Sequence, residues 1–146
     1  MYRIEKATVR QAAAAAALAI RMWEDNTQES LTAEFEELIA SEEAAVFLLY
    51  VDEKPVAFAQ CQLRHDYVEG TETSPVGYLE GIYVDDAYRG TGCARMLLCA
   101  SEDWARSMGC TEFASDCELE NTGSLAFHLK MGFEETGRVI CFAKRL

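Results

Sequence analysis

Residues 76–116, VGYLEGIYVDDAYRGTGCARMLLCASEDWARSMGCTEFASD, restrict the fold more than any other part of the chain. An apolar run, VGYLEGIYV, stops at Asp85 and Asp86, passes through the turn YRGTGCA and becomes an amphipathic helix. Met96, Leu97, Ala100 and Trp104 form one stripe of that helix, which is predicted from Arg89 to about Met108; Gly109 ends it, and TEFASD follows as a second strand. A strand-helix-strand unit of this kind predicts two parallel neighbouring strands joined by a right-handed crossover.

The flanking segments complete a mixed sheet. YRIEKAT alternates as a first strand, and Thr8 is placed to cap a helix running through QAAAAAALAI to about Met22, with Trp23 at its end. In LTAEFEELIAS, Leu31, Phe35, Leu38 and Ile39 fall on one helical face. AAVFLLYV and PVAFAQCQLR read as two strands joined by a tight turn at DEK, and DYVEGTETSP as a loop. NTGSLAFHLKM reads as a short helix stopped by Gly132, and FEETGRVICFAKRL as a final strand or hairpin. The order β-α-α-β-β-β-α-β-α-β is that of an α/β (α+β mixed sheet) domain. At 146 residues it fits one domain, residues 1–146, which buries about two-thirds of its surface on folding.

Several function classes fall away at this point. The short apolar run in QAAAAAALAI lies between Glu5 and Arg21 and falls well short of the roughly 20 residues that span a bilayer, so it is neither a signal core nor a membrane anchor. Six cysteines form no CxxC pair and have no nearby histidine set, which argues against zinc and predicts reduced thiols in the cytoplasm. The net charge is -12, with ten acidic residues and no Lys or Arg from Met22 to Glu53, and six acidic residues and no Lys or Arg from His65 to Tyr88. Such a potential repels nucleic acid and attracts cations, although solubility alone would also account for it.

The turn itself can hold an anion. Gly90 and Gly92 let the backbone approach a ligand closely, and the amides of Arg89, Gly90, Thr91, Gly92, Cys93 and Ala94 can converge on phosphate oxygens at a helix N-terminus, aided by the Arg89 charge. The Lys-Ser/Thr of a P-loop is missing, and so is the third glycine of a dinucleotide fingerprint. A structural tight turn would use the same residues.

YRGTGCA resembles the R/Q-x-x-G-x-G/A loop of the GCN5-related N-acetyltransferase (GNAT) superfamily at Arg89, Gly92 and Ala94, and ENTGSLAFHLKMGFEETG resembles its second signature at Asn121, Gly132 and Phe133. The resemblance implies a central splayed mixed β-sheet flanked by helices, and acetyl-CoA as acetyl donor with no metal. It also implies pyrophosphate on residues 89–94, the pantetheine arm along Ile82, Tyr83 and Val84, and a contact from Asn121. Many members place a tyrosine acid in the helix after that asparagine; here the region offers His128, which can donate a proton, bind cofactor or lie at the surface. The last strand has Cys141 where relatives often have tyrosine.

DYVEGTETSPVGYLEGIYV and CTEFASD further resemble the aminoglycoside 6'-N-acetyltransferases, particularly a dimeric subgroup. That resemblance implies Trp23, Tyr67, Glu80 and Asp116 as contacts of a cationic aminoglycoside, and a homodimer in which the last strand takes part. The residues agree: Glu80 is a lone carboxylate in an apolar strand and Asp116 ends the neighbouring one, so a cleft facing a cation suits both. A salt bridge from Glu80 to Arg64, a turn cap at Asp116 and simple packing by Trp23 and Tyr67 are the plainer alternatives.

An alkylammonium must lose a proton before it attacks a thioester, and a carboxylate can accept it directly or through water. Glu80 is the first choice for that role and Asp116 the second, with a backbone N–H near Ile82 available to polarise the thioester carbonyl. Direct transfer is expected over an acetyl-cysteine, because no cysteine has an evident adjacent base and Cys93 is expected to be buried. A polyamine or protein N-terminal amine would also suit an acidic cleft, and a non-catalytic acyl-CoA-binding module is the reading from another class.

Overall fold

Five segments with apolar alternation or continuous apolar runs become the strands of one sheet: β1 (Tyr2–Lys6), β2 (Ala44–Val51), β3 (Lys54–Arg64), β4 (Val76–Val84) and β5 (Phe113–Ser115). The computed structural model describes residues 1–146. The strands lie in sequence order, antiparallel from β1 to β4, and β5 pairs with β4 in parallel. Four helices complete the chain: α1 (Ala12–Ala19), α2 (Gln28–Ala40), α3 (Cys93–Ser107) and α4 (Thr122–Lys130).

The two faces of the sheet bury different partners. Val46, Leu48 and Phe58 pack against α1 and α2, where Ala12, Ala15, Ala16 and Ala19 let Leu31 and Phe35 approach closely. On the other face, Phe47, Leu49, Ala57, Ala59 and Cys61 pack against Cys93, Leu97, Leu98 and Trp104 of α3. The period-2 alternation along β3, with Phe58 on one face and Ala59 on the other, is what separates the two clusters.

The feature that positions a site is the short β5. It pairs with β4 only where Gly77, Tyr78 and Leu79 meet Phe113, Ala114 and Ser115. From Glu80 to Val84, β4 continues with β3 on one side and no strand on the other. The sheet therefore splays open beyond Leu79, as the family resemblance implies.

Four expectations need correction. The alanine helix ends at Ala19 and reaches Met22 and Trp23 only through turn-type bonds back to Ala19; Thr8 opens a 3-10 turn at Val9–Gln11, and its N–H donates to the Gln11 side chain at 2.8 Å. The glycine-turn helix begins at Cys93 instead of Arg89, because Gly90 and Gly92 have φ of 76° and 90°, outside the right-handed helical region. Strand TEFASD shrinks to Phe113–Ser115. The final strand or hairpin does not form: from Phe133 onward the chain has no regular structure, and Val139, Ile140 and Phe142 are more than four-fifths exposed. A strand needs a second segment for its backbone donors and acceptors, and β propensity in RVICFAK alone does not supply one.

Candidate active site

β4 carries a bulge at the mouth of the splay. Gly81 pairs with Gln60 and Leu79 with Cys61, which leaves Glu80 as the extra residue. A bulge of this kind bends the strand and re-aims a side chain. Gly81 has a further reason to be glycine: a Cβ there would come within 2.7 Å of the Trp23 ring, so the indole lies directly on the β4 backbone. Trp23 also meets Phe58 edge to face with ring centres 6.0 Å apart, which fixes it on the α1–α2 side of the sheet.

On that same side the structure links the two predicted carboxylates. Arg64 Nε and Nη2 donate to the two Glu80 oxygens at 3.0 and 2.8 Å. The Arg64 guanidinium carbon stands 3.4 Å over the Tyr78 ring, and the Tyr78 hydroxyl donates to Asp116 Oδ2 in a very short hydrogen bond. Glu80, Arg64, Tyr78 and Asp116 thus form one chain across β3, β4 and the end of β5. The anionic partners push the Arg64 pKa up, chiefly through the hydrogen bond to Glu80. Burial first, and then the bond to Asp116, push the Tyr78 phenol up, so it stays a neutral donor. The salt bridge considered for Glu80 is therefore present, and Asp116 holds a tyrosine instead of capping a turn.

Tyr67 lies on the loop after β3, largely exposed, with its hydroxyl bonded to Glu69 at 3.2 Å. That loop is anchored at its far end by Glu112, whose carboxylate accepts from the N–H groups of Glu72 and Thr73 and from the Thr73 hydroxyl. These bonds, that of the Thr73 hydroxyl first, hold the Glu112 pKa below the ordinary carboxylate value.

At the other end of β4, the amides of residues 90–95 donate to no acceptor within the protein; the first helical bond of this region is Met96 N–H to Gly92 O at 3.1 Å. Neither Gly90 nor Gly92 has another atom within 4 Å of where a Cβ would stand. Thr91 bonds back to Tyr88 O, and Cys93 is buried with its sulfur 3.2 Å from the Thr91 hydroxyl. Arg89 donates to Val84 O at 2.9 Å and pairs with Asp86 at 3.1 Å, with its guanidinium 5.5 Å from the Tyr83 ring centre. A run of unused N–H groups at a helix N-terminus, open to solvent and flanked by a fixed arginine, fits a pyrophosphate. Ile82 and Val84 turn toward the α3 cluster and Tyr83 toward α1 and α2, all on the stretch of β4 that pairs with β3 but not with β5.

Asn121 and His128 belong to α4, one at its cap and the other within it. Asn121 caps α4, its Oδ1 accepting from Ser124 N–H at 3.0 Å. His128 is buried between Phe127 and Phe133; Nδ1 lies 2.7 Å from Ser124 O and Nε2 2.8 Å from the Ser115 hydroxyl. Its neighbours Phe127 and Phe133 pack against the α3 cluster, and His128 lines, together with Asp116, a cavity of about 520 Å³ between β5, α4 and residues 133–139. The cysteines offer no nucleophile beside a base: burial pushes the Cys61 thiol up to about 12.

Reasoning from sequence missed Tyr78, Gln60 and Glu112, and gave Arg64 only as a possible partner for Glu80. Tyr78 could have been found from its position two residues before Glu80, and Arg64 from hairpin pairing with Val76, but Glu112 depends on a loop path that local pattern does not encode.

The sequence pattern of the Acetyltransferase (GNAT) family matches residues 13–133. The chain belongs to that family. It is 46% identical over 142 residues to the aminoglycoside N(6')-acetyltransferase type 1 of Stenotrophomonas maltophilia, covering 95% of this chain and 90% of that one. Its backbone superposes on the aminoglycoside N-acetyltransferase AAC(6')-Iy in complex with CoA with a TM-score of 0.96 at 36% identity, over 100% of this chain and 96% of the other. The same enzyme with a bisubstrate analogue, CoA-S-monomethyl-acetylneamine, superposes with a TM-score of 0.95 at 36% identity, over 100% and 99% of the two chains.

Proposed function

We propose that this GNAT-family chain is an aminoglycoside 6'-N-acetyltransferase, a single-domain enzyme over residues 1–146 that acetylates the 6'-amine with acetyl-CoA and so confers resistance. The observation that supports this most is the gathering of Glu80 and Asp116 with Trp23 on one side of the splay, while the unused amides of residues 90–95 stand at the end of the same strand. One end suits a cation and the other a pyrophosphate.

In this reading the Gly90, Thr91, Gly92, Cys93 and Ala94 amides and Arg89 bind the pyrophosphate, Ile82, Tyr83 and Val84 align the pantetheine arm, and Asn121 meets it with its free amide nitrogen. Acetyl-CoA supplies an activated acyl group. Trp23 and Tyr67 flank the aminoglycoside. Glu80, with both oxygens on Arg64, holds the ammonium or a water; Asp116, with one oxygen on Tyr78 and the other free, takes the proton directly or through that water. The amine then forms the C–N bond as the C–S bond breaks, the electron pair leaves on sulfur, and the second proton shed by the nitrogen passes to that thiolate directly or through water. His128 acts by holding β5 and α4 together beside the cofactor arm.

A homodimer belongs to the same proposal. Val139, Ile140, Phe142 and Leu146 are each more than four-fifths exposed, and burying such side chains is worth about 1.5–3 kcal/mol apiece. A second copy of the chain that brings its own splayed edge can cover them. Six free thiols suit a reducing cytoplasm.

The test is CoA release with kanamycin or tobramycin, followed in Glu80→Gln and Asp116→Asn. Turnover by the unaltered protein and a loss of at least about tenfold in kcat/KM in each variant are expected. Turnover of spermidine or peptides alone would move the reading to a polyamine or N-terminal acetyltransferase. Tight acetyl-CoA binding without transfer would move it to an acyl-CoA-binding module.

A further inference from the structure

Gln60 stands where a purely structural residue would be apolar. It lies in the middle of β3 between Ala59 and Cys61, is 8% exposed, and alternation puts its side chain on the face of Phe58, against α1 and α2. Its cross-strand partner is Gly81, which has no side chain, and the bulged Glu80 follows immediately. The Trp23 ring lies over that glycine. No protein group bonds to the Gln60 amide. Every fully buried side-chain nitrogen and oxygen in the molecule does have a partner, so the unbonded Gln60 amide keeps access to solvent, next to the Gly81 that Trp23 covers and the bulged Glu80. A polar side chain held in a largely buried strand position, with its amide open to solvent beside Glu80 and an indole, is free to bond a ligand that enters there.

We propose that Gln60 contacts the acceptor substrate and selects for one that carries hydroxyl or neutral amino groups beside its cation. This rests on the acceptor cleft proposed above. Glu80 and Asp116 attract any cation, whereas an amide both donates and accepts, which matches a sugar hydroxyl and gives nothing to an alkyl chain. A site that loses such a bond discriminates strongly because the unmatched polar group is left dry. Gln60 is thus the neutral, orienting contact beneath the charged ones.

The experiment compares the unaltered protein with Gln60→Met and Gln60→Glu, reading KM for kanamycin, KM for acetyl-CoA and the thermal midpoint. Methionine fills the same volume without polar atoms, so Q60M is expected to raise KM for kanamycin about tenfold, leave KM for acetyl-CoA unchanged, and keep or raise the midpoint. Q60E keeps the oxygen and the length and loses the N–H donor, so it is expected to fold and to show a KM for kanamycin above that of the unaltered protein. An unchanged KM for kanamycin in Q60M overturns the assignment, as does an equal rise in both KM values. A fall in midpoint, or failure of Q60M to fold, makes Gln60 a packing residue and overturns it as well. Absence of kanamycin turnover in the unaltered protein instead defeats the acceptor reading itself, so the two failures are distinguishable.

Discussion

The Arg64 guanidinium occupies both carboxylate oxygens of Glu80, at 3.0 and 2.8 Å, while standing 3.4 Å above the ring of Tyr78. The cleft that is to receive a cation already holds one, and Glu80 meets an acceptor amine as half of an ion pair. A fork-to-fork pair that is partly shielded from water contributes more than an exposed one.

Arg64→Met removes the fork and leaves the half-buried Glu80 charge alone, at an expected cost of about 1–3 kcal/mol in unfolding free energy. Glu80→Gln should cost less, and the double variant should recover part of the loss. Denaturant unfolding of the four proteins in a double-mutant cycle measures the coupling. A coupling near zero would mean that the pair exchanges freely with water.

Tyr78 and Asp116 give a second prediction. Because burial and the bond to Asp116 raise the phenol pKa, this contribution to stability is fully present below the unfolded tyrosine value of about 10 and is lost as pH rises toward the folded one. Ultraviolet titration should find one of the six tyrosines still neutral when the exposed ones have ionised. Tyr78→Phe should abolish that late step and lower kcat/KM for an aminoglycoside about tenfold, since Asp116 loses the group that orients it.

The core fold was legible because its signals are local. Alternation in β1 and the apolar runs of β2 to β4 gave strands within a residue or two, and the glycine turn gave the start of α3 to within four residues. Asp116 and Glu80 were legible as carboxylates without obvious partners. Arg64 was legible only as one alternative for Glu80 and Tyr78 not at all, because both meet the carboxylates through strand register, and the bulge that moves Glu80 depends on the pairing of Gln60 with Gly81. The tail failed for a different reason: RVICFAK reads as a strand in isolation, yet within one copy nothing pairs with it.

Glu112 anchors the loop that carries Tyr67, and its pKa is held low by the Thr73 hydroxyl and two backbone N–H groups. A depressed carboxylate stabilises the fold above its unfolded value of about 4.3, and that contribution disappears as pH falls through the lower folded value. Glu112→Ala should therefore lower the thermal midpoint at pH 7, and the difference from the unaltered protein should shrink toward zero below about pH 4. A difference independent of pH would show that packing, not the charge, is what Glu112 supplies.

The exposed tail makes the last prediction. Residues 138–146 donate and accept no backbone hydrogen bond, while Val139, Ile140 and Phe142 face solvent beside the cavity that β5, α4 and residues 133–139 enclose. Deleting residues 138–146 should convert a dimer into a monomer in light scattering and remove the concentration dependence of the thermal midpoint that association imposes. Val139→Asp with Phe142→Asp should do the same without shortening the chain, because burying two unpaired carboxylates opposes association far more than their exposure opposes folding. A full-length chain that runs as a monomer at all concentrations would leave these side chains without the partner that their exposure calls for.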